Sequence, residues 1–303
     1  MGLDRAYKAC ARITRCEARN FYFAFLSLPK RQRLAVYALY AFCREADDVA
    51  DAAASARENS KAVLPVGATN KSQDGDDVRR EGLALLRSRL AQAAAGEPEN
   101  ERDLALADAM EAFGVRPEDL GAVITGVEMD LDRSRYGTFD DLRDYCHHVA
   151  SAVGLAVLPI LNDGVPPTDA MRERAAALGL GMQWVNILRD IAEDLDRDRI
   201  YLPLEDLARF GVDEEDLAAR RMIDPIRNLL AFQAERARTF LAEGRRLVPL
   251  LPRSGRACPR LLAEIYSRVL ERIEATGYDV FQRRVSLPMA EKLALLFSAF
   301  WRG

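Results

Sequence analysis

The chain has 303 residues, of which 49% are apolar and 30% charged, with a net charge of −4. That composition excludes a disordered chain and a small stapled domain, and it gives no electrostatic footprint for nucleic acid. The five cysteines, Cys10, Cys16, Cys43, Cys146 and Cys258, are odd in number and lack CxxC spacing, so they read as reduced thiols of a cytoplasmic protein.

In chain order, residues 1–14 carry Asp4, Arg5, Lys8 and Arg12 without an apolar core and do not read as a secretory signal. Leu28-Pro29 sets a helix start, and apolar residues then recur at three- and four-residue spacing over 34–51. The segment 52–79 is rich in Ala, Ser, Asn, Asp and Gly and reads as a mobile loop. A shorter loop is expected over 93–102. Helical periodicity marks 82–94, 101–113, 117–132, 139–161, 169–194, 226–248 and 258–276. Gly114, Gly137, the Gly164-to-Pro167 cluster, Pro203, Gly211, Pro249, Pro252 and Gly255 separate these runs. The charge-free stretch 145–162 falls short of a spanning helix and reads as a buried one. Over 286–303, Met289, Leu293, Leu296, Phe297, Phe300 and Trp301 define a terminal helix packed on the core. The sharper alternative is a membrane-surface helix, thinly supported by Lys292 and Arg302. With no alternating strand pattern, the expectation is one all-α domain.

Two clusters carry chemistry. In Arg44-Glu45-Ala46-Asp47-Asp48-Val49-Ala50-Asp51, Asp47 and Asp51 share a helix face that Tyr40 and Arg44 extend. Repelling carboxylates call for Arg44 or a metal, and oxygen-only ligands favour Mg²⁺ over zinc. A solvated acidic helix end is the plain alternative. In Gln183-Trp184-Val185-Asn186-Ile187-Leu188-Arg189-Asp190-Ile191-Ala192-Glu193-Asp194, the residues Gln183, Asn186, Asp190 and Asp194 form one polar stripe on an apolar helix. Core-facing amides and carboxylates are unfavourable unless something binds them. An overlapping calcium-loop pattern from Asp194 fails, because Arg199 stands where that loop needs Gly. Carboxylates, Mg²⁺ and the arginines Arg44, Arg189 and Arg199 together suit a diphosphate. No Gly-rich phosphate loop is present, which disfavours P-loop and Rossmann enzymes.

Other residues take plain readings. His147 and His148 point to different sides of a helix and read as core-edge residues. Cys43 and Cys146 read as small buried residues. Glu128, Asp130 and Asp132 are expected in interhelical ion pairs, with Arg135 in reach of a diphosphate.

The pattern resembles the squalene and phytoene synthase family. The carrying motifs are Tyr145-Cys146-x-x-Val149-Ala150-Ser151-Ala152-Val153-Gly154, then Leu178-Gly179-x3-Gln183-x2-Asn186-Ile187-x-Arg189-Asp190-Ile191-x2-Asp194, then Arg199-x-Tyr201-x-Pro203. The opening Asn20-Phe21-Tyr22-Phe23-Ala24-Phe25-Leu26 and the late Gly277-Tyr278-Asp279-Val280-Phe281 look most like the bacterial hopanoid-pathway presqualene diphosphate synthases.

The resemblance implies a single all-α prenyl synthase domain, 1–303, around an apolar cavity. It implies Mg²⁺ held by Asp47, Asp48, Asp51, Asn186, Asp190 and Asp194, and catalytic roles for Tyr40, Asp47, Asp51, Tyr145, Asp190, Asp194 and Tyr201. Substrate contacts would come from Arg19, Asn20, Phe21, Phe25, Arg44, Val149, Gly154, Gln183, Asn186, Arg189 and Arg199. The implied reaction joins two farnesyl diphosphates head to head into presqualene diphosphate, with peripheral membrane contact plausible for so apolar a product. Rival readings are a phytoene synthase, a dehydrosqualene synthase, or a non-catalytic helical scaffold.

Overall fold

The computed structural model describes residues 2–59 and 71–301, without the side chains of 19, 20, 51–59, 71–74 and 298–301. Among the described residues the fold is helical, and its one β-type feature is a bridge between Arg135 and Ile200.

The N-terminal half contains α1 (Leu3–Glu17), α2 (Arg19–Phe25), α3 (Lys30–Asn59), α4 (Lys71–Ala94), α5 (Glu101–Phe113) and α6 (Pro117–Asp132). Asn100 caps α5 by accepting from the Arg102 and Asp103 amides, and Gly114 ends it in the left-handed conformation. Helix α3 is the hub of this half, packing on α1, α4, α5 and α6. The expected loop over 52–79 is narrower than the composition suggests. Its two ends continue α3 to Asn59 and begin α4 at Lys71, and 60–70 lie outside the described residues. Packing explains the second extension: Val49 of α3 lies against Gly82, and Arg80 pairs with Asp132 of α6.

The second half begins with α7 (Phe139–Cys146), a π turn (His147–Ser151) and α8 (Ala152–Leu161). A Thr138–Asp141 capping box starts α7. Then come α9 (Asp169–Asp196), α10 (Leu204–Phe210), α11 (Glu214–Ala218), α12 (Asp224–Arg245), a 3₁₀ turn (Val248–Leu250), α13 (Arg253–Ala275) and α14 (Met289–Trp301). Helix α9 is the second hub, flanked by α12, α8, α13 and the π turn. Its Trp184 is fully buried, and the indole N–H donates to Gln233 Oε1 at 3.1 Å. Gln233 passes the network to Asp206 at 2.8 Å, so the buried polar atoms stay satisfied.

Phe139–Leu161 is long and apolar enough to cross a membrane by length and composition, yet 56% of its apolar window is buried inside the protein. It is packed between α6 and α9 and serves as core. Helix α14 packs on α13 and α2 through Leu295 and Leu296, as the packed-helix reading expects. Its Met289, Leu293 and Phe297 remain exposed.

Two glycines let the hub helix approach its neighbours, Gly179 against the π turn and Gly154 on α8. A Cβ on Gly179 would stand 2.5 Å from the Ala150 carbonyl oxygen, and one on Gly154 would stand 2.9 Å from that of Ala175. No other residue permits that approach without shifting backbone. The result is a chamber bounded by α2, α3, α6, the π turn, α8, α9 and α13.

Candidate active site

Two cavities share a wall. The first is polar, about 240 Å³, and is lined by Arg44 and Asp47 of α3, Asp130 of α6, the Gln183, Asn186, Asp190 and Asp194 stripe of α9, and Arg197, Arg199 and Tyr201 beyond it. The second is an apolar chamber of about 250 Å³, lined by Phe21, Phe25, Tyr40, Cys43, Val149, Gly154 and aliphatic side chains of α6, α8, α9 and α13. Asp47, Gln183 and Asn186 line both. A ligand with an anionic head and a hydrocarbon tail would therefore pass its junction at those three residues.

The α9 stripe arises from helical spacing. Offsets of three and four residues stack Gln183, Asn186, Asp190 and Asp194 on one face, while Trp184, Val185, Leu188 and Ile191 turn into the core. Asn186 Nδ2 donates to Gln183 Oε1 at 3.3 Å. The Asn186 Oδ1 atom is buried without a hydrogen-bond partner. Asp190 receives Arg189 at 2.7 and 2.5 Å and Arg284 at 2.9 and 3.2 Å. Burial alone would raise its pKa, but the hydrogen bonds from Arg189 and Arg284 prevail and hold it below the usual carboxylate value. Asp194 lacks such a clamp. Burial, then the charge of Asp190, pushes its pKa up to about 7.

The opposite wall is α3. Tyr40 packs edge-on to Phe25, and burial pushes its hydroxyl up to about 12. Arg44 spans to Asp48 at 2.6 Å. Asp48 corrects the expected ligand set. One residue on from Asp47 it is turned about 100° around the helix, its side chain is 58% exposed, and it lines neither cavity. The side chains of Arg19, Asn20 and Asp51 lie outside the described residues. Arg189 and Tyr145 line neither cavity and sit one layer behind, on Asp190 and Asp130 respectively.

Residues missed or misread from sequence complete the site. Glu128 and Asp132 do form interhelical pairs, with Arg87 and Arg80. Asp130, between them, turns inward and accepts hydrogen bonds from Tyr145 at 2.9 Å and Tyr201 at 3.0 Å. Spacing alone could have flagged it, since i and i+2 on a helix face different ways. Arg135 does not reach the cavity, because Asp198 and Glu214 hold it at 2.8 and 3.0 Å. Arg284, past α13, was not singled out by any motif. His148 Nδ1 contacts the Asp144 carbonyl at 2.9 Å, and His147 faces away from the chamber into a separate surface groove.

The donor set suits a hard cation. Its ligands are oxygens, and the buried Asn186 Oδ1 lacks a partner. Among the described residues no three His, Cys, Asp or Glu side chains converge on one point. Mg²⁺ is compatible with that, since it typically takes one or two carboxylates and completes its shell with water and phosphate oxygens.

The squalene/phytoene synthase family model matches residues 14–291. A 15-cis-phytoene synthase of Synechocystis sp. is 36% identical, across 99% of this chain and 86% of that protein. A dehydrosqualene synthase crystallised with a ligand superposes with a TM-score of 0.84 at 30% identity, covering 99% and 97% of the two chains. Squalene synthase HpnC from Alicyclobacillus acidocaldarius superposes with a TM-score of 0.78 at 30% identity, covering 91% and 95%.

Proposed function

Because the chain belongs to the squalene/phytoene synthase family, we propose that it condenses two allylic prenyl diphosphates head to head, as a phytoene synthase acting on twenty-carbon chains. The observation that carries the reaction class is the junction at Asp47, Gln183 and Asn186, where the acid- and arginine-lined cavity meets the apolar chamber. The chain length rests on the 36%-identical phytoene synthase, which outweighs the resemblance of the opening and late motifs to presqualene diphosphate synthases. The second reading, fifteen-carbon substrates with presqualene diphosphate or dehydrosqualene as product, rests on the likeness to a dehydrosqualene synthase.

Asp47, Asn186, Asp190 and Asp194 would hold magnesium, which supplies charge neutralisation for the diphosphate leaving group. Arg44 and Arg199 line the same cavity and meet the remaining phosphate oxygens. Ionisation of one substrate leaves an allylic cation at its C1. The C2–C3 double bond of the second substrate attacks that carbon, and loss of a proton closes a cyclopropane. A second ionisation, rearrangement and proton loss then give the hydrocarbon without a reductant. The Phe21 and Phe25 rings and the aliphatic wall exclude water from these cations, and aromatic faces stabilise positive charge.

The reading places the enzyme in the cytoplasm with peripheral membrane contact, where the exposed Met289, Leu293 and Phe297 of α14 would meet lipid. Vesicle flotation of the full chain and of a form lacking 286–303 tests that contact, and equal binding by both removes α14 from it.

Incubation of the purified chain with geranylgeranyl or farnesyl diphosphate and Mg²⁺, without reduced nicotinamide, followed by mass spectrometry, tests the function. A forty-carbon hydrocarbon from the longer substrate supports the first reading. Thirty-carbon products alone select the second, and silence with both substrates from folded protein overturns the reaction class.

A further inference from the structure

Asp130 lies outside both aspartate motifs, yet it is the hub of a hydrogen-bonded cluster at the cavity wall. Its two carboxylate oxygens accept one phenol each, Tyr145 at 2.9 Å and Tyr201 at 3.0 Å. Its main-chain carbonyl accepts Arg199 Nη2 at 3.2 Å, and Arg199 Nη1 donates to the Tyr201 hydroxyl at 3.4 Å. The rings are fixed as well. Tyr136, Tyr145 and Tyr201 stack on one another with centroids 5.2 to 5.8 Å apart. Two loops are zipped beneath them, with Ile200 N–H on Ser134 O at 2.9 Å and Leu204 N–H on Tyr136 O at 2.9 Å. This cluster gives Arg199 a setting unlike that of Arg44, Arg189 and Arg284. Arg44 lies on Asp48, and Arg189 and Arg284 lie on Asp190. The hydrogen bonds of Arg199 go to neutral oxygens instead.

We propose that Asp130 is a positioning residue: it holds the Tyr201 hydroxyl, and through it the Arg199 guanidinium, at the cavity wall, aimed at the diphosphate of a bound substrate. The inference rests on the diphosphate reading above. The Asp130 and Asp194 carboxylates act on Arg199 by charge alone, so its guanidinium is held in place and no carboxylate occupies its N–H groups when an anion arrives. Asp130 acts through other residues and takes no bond-making part. An amide at position 130 keeps the volume but offers one acceptor oxygen where two phenols donate, so one phenol must accept from the amide N–H and send its own proton elsewhere, which undoes the ordered donation from both rings.

The test uses the full chain with Mg²⁺ and its prenyl diphosphate. Asp130→Asn should lower kcat about 10²-fold, the scale of a misplacement near 1 Å, while KM changes less, because the Arg199 contact strengthens with developing charge. Tyr201→Phe should give a similar loss, and the double variant should be no slower than the worse single one. Fluorotyrosine placed at 201 should shift its ¹⁹F resonance in Asp130→Asn. Multiplying losses in the double variant, an unchanged kcat, or an unmoved ¹⁹F signal each overturn the proposal. Should Asp130→Asn not fold, full activity in Tyr201→Phe overturns it alone. Failure of the functional reading looks different: the unsubstituted chain is then silent on every prenyl diphosphate, while the ¹⁹F comparison still reports on Asp130.

Discussion

Arg284 reaches from the segment after α13 to grip both carboxylate oxygens of Asp190, at 2.9 and 3.2 Å, and it also meets Glu193 at 3.2 Å. Asp190 is thereby covered by two guanidinia, since Arg189 occupies it from its own helix. A residue proposed to hold a cation is thus paired with two fixed cations.

Arg284→Gln should therefore tighten magnesium binding in the absence of substrate. The pair is partly exposed, so the gain is about 1.5- to 5-fold, matching an ion pair of ~0.2–1 kcal/mol. With substrate present, turnover should fall, because Asp190 loses the brace that fixes its carboxylate. Calorimetric titration with MgCl₂ and a diphosphate-release assay check the two halves.

Asp194 sets a pH dependence. Its folded pKa of about 7 lies above the ordinary 3.8, so between those values the folded state holds a proton that the unfolded state has lost. Stability of the metal-free protein should fall as pH rises through that window. Asp190, shifted the other way, contributes stability that is lost only below the ordinary value, outside the window. Thermal melts from about pH 4 to pH 8 should show the decline, and Asp194→Asn should flatten it, with Tm raised by roughly 2–4 °C at the upper end. Magnesium affinity should rise across the same range, because a cation competes with that proton.

Asp47→Asn and Asp190→Asn each remove one oxygen proposed to hold the cation, one from each wall. Each should slow diphosphate release about 10²- to 10³-fold, while far-ultraviolet circular dichroism stays unchanged. Activity within a few-fold of normal in both would remove the carboxylates from the reaction.

Gly179→Ala inserts a methyl group where the Ala150 carbonyl oxygen is 2.5 Å away. Helix α9 must move off the π turn, at about 1–3 kcal/mol as in other overpacked cores. Chemical denaturation should report that loss. Turnover should fall as well, since both residues line the apolar chamber.

Much of this was legible in the sequence for physical reasons. Helical periodicity places 101–113 and 117–132 at the observed bounds, since capping Asn100 and Pro117 mark their starts. The α9 stripe was readable because amides and carboxylates on an apolar helix need partners. Asp130 was hidden, because Glu128, Asp130 and Asp132 look like one acidic run until helix phase separates them. Arg284 was hidden because its partner lies 94 residues away. The end of α3 at Asn59 was obscured by a composition that favours loops. Chain length of the substrate was not legible, since the chamber is assembled from helices distant in sequence.

The π turn at His147–Ser151 absorbs one surplus residue in the chamber wall. A π turn carries one residue more than an α-helix needs for the same advance. Removing a single residue there would restore an ordinary helix and leave the segments on either side in their present phase. Val153 and Gly154 would keep the hydrocarbon face, and Tyr145 its place beside Asp130. A one-residue deletion elsewhere in the helix would turn all that follows by about 100°, so this turn is the one seam where the wall can lose a residue and still show the same face to head and tail.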